Sequence, residues 1–69
     1  MSAAIRLNGQ THPLGTGGLM DLLCAHGIDC DARGVAVALN GAVVPRRAWT
    51  RTDLHEGDEI EIVKLFSGG

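Results

Sequence analysis

Two Asn-Gly dipeptides, Asn8-Gly9 and Asn40-Gly41, limit what this chain can fold into more than any other feature. Both residue types tolerate the positive φ that a two-residue type I′ turn demands, so each pair predicts a tight β-hairpin. The first joins residues 3–7 to residues 10–14. Ile5 and Leu7 share one face of the leading strand and Arg6 takes the other. Pro13 has no N–H to give a ladder, so its strand belongs at a sheet edge or ends there. The second pair joins residues 35–39 to residues 42–44, with Pro45 as the stop. Residues 35–39 are apolar throughout, which predicts a central strand covered on both faces.

Between the hairpins the period changes. Leu19, Leu22, Leu23 and His26 recur at helical spacing and predict a helix over residues 19–26 with those four on one face. Thr16 or Gly18 caps it. With Gly18 as the cap, Asp21 falls at the third helical position, where a carboxylate suits the positive end of the dipole. Gly27 then stops the helix in a left-handed cap, and Ile28 folds back onto Leu23. His26 sits in the last turn as a partner for the negative end of the dipole. Residues 28–34 read as a polar loop.

After Pro45, residues 46–49 read as a short turn or helical piece, with Trp49 folded onto the core as a lid and Leu54 anchoring a loop. Glu56-Gly57-Asp58 is a turn into a last strand over residues 59–65. Ile60 and Ile62 share one face of it and Glu59 and Glu61 the other. Val63 and Leu65 then fall on the Glu face, where they form either a docking patch or a strip covered by a curl of the sheet. The order is hairpin, helix, strand, strand, last strand. With no βαβ repeat this is an α+β roll, one helix packed across a small mixed sheet, with the first and last strands paired in its centre.

Composition narrows the function. A chain of 69 residues is one domain with a thin core, and it leaves little room for the deep pocket of a self-contained enzyme. A formal net charge of −2 argues against nucleic acid as the main partner. No apolar run reaches the length of a membrane span, and residues 1–20 lack the basic start and apolar stretch of a signal peptide, so a cytoplasmic protein is expected. Cys24 and Cys30 are too far apart for a CxxC motif, and with His12, His26 and His55 they show no zinc spacing. They read as reduced thiols, with no metal and no cofactor expected. Gly15-Thr16-Gly17-Gly18 lacks the Lys and Ser/Thr of a phosphate-binding loop.

The chain closes on Ser67-Gly68-Gly69. Residues 1–65 are expected to form the domain and residues 66–69 a flexible diglycine tail. Without Cβ atoms, Gly68 and Gly69 can lie extended in a slot too narrow for any side chain. The expected working group is the α-carboxylate of Gly69, with the folded body as a handle.

The chain resembles the bacterial ubiquitin-like sulfur carriers of the ThiS family, which have a β-grasp fold. The resemblance rests on Asn8-Gly9, Leu22-Leu23, the run Val37-Ala38-Leu39-Asn40-Gly41, then Val43-Val44-Pro45-Arg46 with Trp49, Gly57-Asp58, and the terminal Gly68-Gly69. Gly18 stands where the family often has Thr or Ser, and Leu65-Phe66-Ser67 where a Val- or Ala-containing run is more usual. The resemblance implies a ubiquitin-like β-grasp and a carrier with no catalytic side chain. A ThiF-like adenylating enzyme would activate the Gly69 carboxylate. Sulfur from a cysteine desulfurase or sulfurtransferase would turn it into a thiocarboxylate, which a ThiG-like thiazole synthase would consume for the thiazole of thiamin. Gly68 and Ser67 would be the tether. Val63, Leu65 and Phe66, with Glu59 and Glu61, would meet the partners. Carriers of sulfur for molybdopterin, cysteine, tRNA or siderophores share this chemistry, and a non-covalent β-grasp interaction module is the reading from a different class.

Overall fold

The computed structural model describes residues 3–15, 17–29 and 31–64. Thr16, Cys30 and residues 65–69 lie outside them, and with them the expectations for Thr16 as a cap, for Cys30, and for Leu65, Phe66, Ser67, Gly68 and Gly69. Five strands, one α-helix and one 3-10 helix form among the described residues: β1 (Ala4–Leu7), β2 (Gln10–Pro13), α1 (Leu19–Ala25), β3 (Val35–Leu39), β4 (Ala42–Val44), the 3-10 helix Arg46–Arg51, and β5 (Glu59–Lys64).

The strands make one mixed sheet in the order β2-β1-β5-β3-β4. β1 and β5 run parallel and every other neighbouring pair runs antiparallel. This is the β-grasp roll expected, with first and last strands side by side at its centre and β2, which carries Pro13, at an edge. Both hairpins turn where the Asn-Gly pairs stand. Asn8 and Asn40 take φ of 50° and 51°, followed by Gly9 and Gly41 at 83° and 86°. Those are the left-handed conformations a type I′ turn requires.

The core is Ile5, Leu7, Leu19, Leu23, Ile28, Val37, Trp49 and Ile60. It lies between one face of the sheet and the two helices. Trp49 is 1% exposed, and its indole Nε1 donates to the Val44 carbonyl at 3.0 Å. The ring is thus buried with its one polar atom satisfied. Truncating such a residue to Ala costs about 3–5 kcal/mol in comparable cores.

Helix α1 is held at both ends by backbone. Gly18 is the N-cap, and its N–H donates to Asp21 Oδ2 at 3.2 Å. Gly27, at φ 78°, gives the left-handed stop. The Ile28 N–H reaches the Leu23 carbonyl at 2.9 Å and the Gly27 N–H the Cys24 carbonyl at 3.0 Å, the paired bonds of a Schellman cap.

Three expectations change. The helix ends at Ala25, and His26 is its exposed C-cap residue. The buried face centres on Leu19 and Leu23, with Leu22 only partly buried. The reason is the Schellman cap, which folds Ile28 into the place on the core that a further helical turn would have used. β3 is interior in strand order yet covered on one face alone. Val37 is buried at 1% exposure, while Ala36 and Ala38 are half-buried on the opposite face. Both helices pack on the Val37 side, so the apolar run reflects small residues on the open face. Ile28, at the head of the loop, folds back onto Leu23 as expected and is a core residue at 3% exposure.

Candidate functional site

The sequence points to the exit of β5, and the structure gives that exit a definite setting. β5 is the third of five strands, flanked by β1 and β3. Its inward residue Ile60 is 1% exposed, and Ile62 packs partly buried against the same core. Glu59, Glu61 and Val63 point to the open face, as their alternation predicts. Val63 is 49% exposed there, so no curl of the sheet covers it.

Register shows what shares that face. Val63 lies across from Ala36, and Glu61 across from Ala38, which in turn faces Val43. Val43 is 75% exposed. A shallow apolar strip therefore runs Val63, Ala36, Ala38, Val43, bordered by Glu59 and Glu61. On the other side of β5, Arg6 pairs in register with Glu59, but its guanidinium donates to the Gly9 carbonyl at 3.3 Å. Of this strip the sequence marks Val63 and its Glu border, while Ala36, Ala38 and Val43 join it only through register. Its signal was the alternation of size in Val35-Ala36-Val37-Ala38-Leu39, large residues inward and alanines outward, where an alternation of polarity is the usual cue.

Two turn residues hold β5, a function the turn signal alone does not announce. Beyond the end of β1, the Asn8 N–H donates to the Ile60 carbonyl at 2.9 Å. The Asn8 carboxamide then takes the next place in the ladder: Oδ1 accepts from the Ile62 N–H at 2.8 Å, and Nδ2 donates to the Ile62 carbonyl at 3.3 Å. At the start of β5, Asn40 Oδ1 accepts from the Glu59 N–H at 2.9 Å, and Asn40 Nδ2 donates to Asp58 Oδ1 at 3.0 Å. The bond from Asn40, then that from the His55 N–H at 2.7 Å, holds the Asp58 carboxyl below the usual carboxylate range.

Elsewhere, Arg46 donates to the Ala32 carbonyl at 3.0 Å and ties down the loop after α1. Cys24 is a free, exposed thiol. Among the described residues no three His, Cys, Asp or Glu side chains gather as metal ligands. No helix there is long and apolar enough to cross a membrane. A cavity of about 500 Å³ opens between β2 and α1, with His12, Asp21, Leu22 and His26 in its wall. The rings of His12 and His26 meet edge-to-face at 5.5 Å. Sequence spacing did not join these two histidines, because strand and helix bring them together across the hairpin.

Comparison with known proteins agrees with this geometry. The profile of the ThiS family matches residues 5–69. A curated relative, the sulfur carrier protein ThiS of Escherichia coli K12, is 33% identical over 42 residues, which is 61% of this chain and 64% of that protein. The aligned region thus spans less than two thirds of that relative. The crystal structure of thiamine biosynthesis protein ThiS from Geobacter metallireducens superposes with a TM-score of 0.75 at 29% identity, over 96% of this chain and 99% of that one.

Proposed function

The chain belongs to the ThiS family, and from that premise we propose that it is a non-enzymatic carrier of sulfur for thiamin biosynthesis. Its reactive group is the Gly69 carboxylate. The observation that carries this reading is the central position of β5, which directs the chain toward Gly68-Gly69 from the middle of the sheet. Gly69 is the fifth residue after Lys64, a reach of at most about 18 Å. That length suits a tip entering the active site of another enzyme while the body stays outside.

The chemistry follows from what a carboxylate lacks. Its leaving group would be oxide, so it does not acylate a nucleophile. A ThiF-like enzyme would transfer AMP from ATP to a carboxylate oxygen of Gly69 and release pyrophosphate. The terminal sulfur of a persulfide, from a cysteine desulfurase or sulfurtransferase, would attack the acyl carbon and expel AMP. A thiol would then reduce the acyl disulfide, leaving a thiocarboxylate on Gly69. A thiazole synthase of the ThiG kind would accept that sulfur. Ser67 and Gly68 form the tether, and the lack of Cβ atoms at Gly68 and Gly69 admits the tip to a narrow slot. Val63, Leu65 and Phe66 supply apolar contact with the partners, and Glu59 and Glu61 an acidic border.

Intact-mass spectrometry of the chain co-expressed with its adenylating enzyme and a persulfide source tests this. The expected result is a gain equal to the exchange of one oxygen for sulfur, mapped to Gly69. A chain of unchanged mass beside an active enzyme overturns the proposal, and points to a non-covalent module.

A further inference from the structure

We propose that Asn8 is a positioning residue for the sulfur-carrying end: its carboxamide replaces a missing strand neighbour and fixes the line along which β5 leaves the sheet. This rests on the carrier reading above.

The need arises from topology. β1 runs parallel to β5, so both head toward the tail, but β1 stops first. Its register with β5 runs only over Arg6 opposite Glu59 and Leu7 opposite Ile60. The chain must then reverse through Asn8-Gly9 to build β2. On the β1 side, the backbone of β5 beyond Ile60 would face no partner. On the β3 side, pairing continues to Val35 opposite Lys64. A strand held on one side alone can swing about that edge, and such a swing changes the direction in which the chain continues past Lys64.

Asn8 supplies the missing side. An amide side chain carries one acceptor and one donor in a plane, the same pair that a strand residue offers. Here both are used on one residue, at 2.8 Å from the Ile62 N–H and 3.3 Å to the Ile62 carbonyl. The two partners are 54 residues apart in sequence. Gly would satisfy the turn equally well, at a φ of 50°, so the turn does not account for the carboxamide. Asp would offer the acceptor but no donor, and would set a negative charge beside the Ile62 carbonyl.

The test uses the full chain with Asn8→Gly and Asn8→Asp, the ThiF-type adenylating enzyme of the same organism, and two readouts. Native-state hydrogen exchange is measured at the Ile60 and Ile62 amides. ATP–pyrophosphate exchange gives kcat and KM. For Asn8→Gly, Ile60 protection is expected to hold, reporting an intact sheet, while Ile62 exchanges about tenfold faster, the factor one net hydrogen bond supplies. kcat falls several-fold with KM unchanged, because the body still docks and only the delivery of Gly69 suffers. Asn8→Asp, which keeps the acceptor, falls between Asn8→Gly and wild type in both readouts. Unchanged Ile62 protection overturns the grip. Faster Ile62 exchange with unaltered kcat overturns the positioning role and leaves the carrier reading standing. A wild-type chain that supports no pyrophosphate exchange overturns the carrier reading, and the positioning role with it.

Discussion

Asp58 is a carboxylate held by two hydrogen-bond donors. It accepts from the Asn40 amide and the His55 N–H and so sits at the turn into β5 as a carboxylate. Its pKa is lowered in the folded chain, so the ionised form is favoured by folding. The resulting stability is fully present above the unfolded carboxylate value of about 3.9 and drains away as pH falls through the lower folded value. Melting curves of wild type and Asp58→Asn should therefore lie furthest apart near neutral pH and converge in strong acid. A gap that stays constant down to the acid limit would contradict this assignment.

At the scale of elements, the two glycines that bound α1 are there for different reasons. Gly27 stands in open space at φ 78°, so a methyl group there meets no atom, only backbone strain. Gly27→Ala should cost about 1–2 kcal/mol. Gly18 has ordinary backbone angles, with φ at −92°, but a Cβ there would lie 2.7 Å from the Thr52 carbonyl oxygen. That same oxygen accepts from the Leu19 N–H at 2.9 Å. Gly18→Ala must push the helix start off the segment that follows the 3-10 helix, and should cost more, about 2–3 kcal/mol. Urea titrations of both variants would rank them, and the reverse order would show that the contact with Thr52 yields easily. At Gly18 the close approach of backbone to backbone decides the residue.

For the whole molecule, body and tip should separate cleanly under mutation. Removing Gly69 leaves the core residues untouched, so the melting temperature should stay put while the mass gain of sulfur loading disappears. Val63→Arg puts a long cation on the open strip without touching the core. It should raise KM for the adenylating enzyme several-fold while leaving stability within about 0.5 kcal/mol. An unchanged KM would move the docking surface off this face. Loss of folding in either variant would mean that tip and body are not independent.

Much of this architecture was legible residue by residue. Asn-Gly pairs fix backbone angles within two residues. The leucine spacing fixes a helix within two turns, and Pro13 and Pro45 mark where ladders stop. These signals are local, so the chain states them without reference to its fold, and even the central pairing of β1 with β5 followed from element order. The proposal for Gly69 likewise starts from a local signal, the diglycine Gly68-Gly69. What the sequence could not state is which side chains meet once distant elements pack together. That Asn8 and Asn40 grip β5, that only one face of β3 is covered, and that His12 meets His26 are all decided by packing. A carboxamide in a turn is only a tolerant residue until a strand 54 positions away comes within 2.8 Å and gives its donor and acceptor a second use.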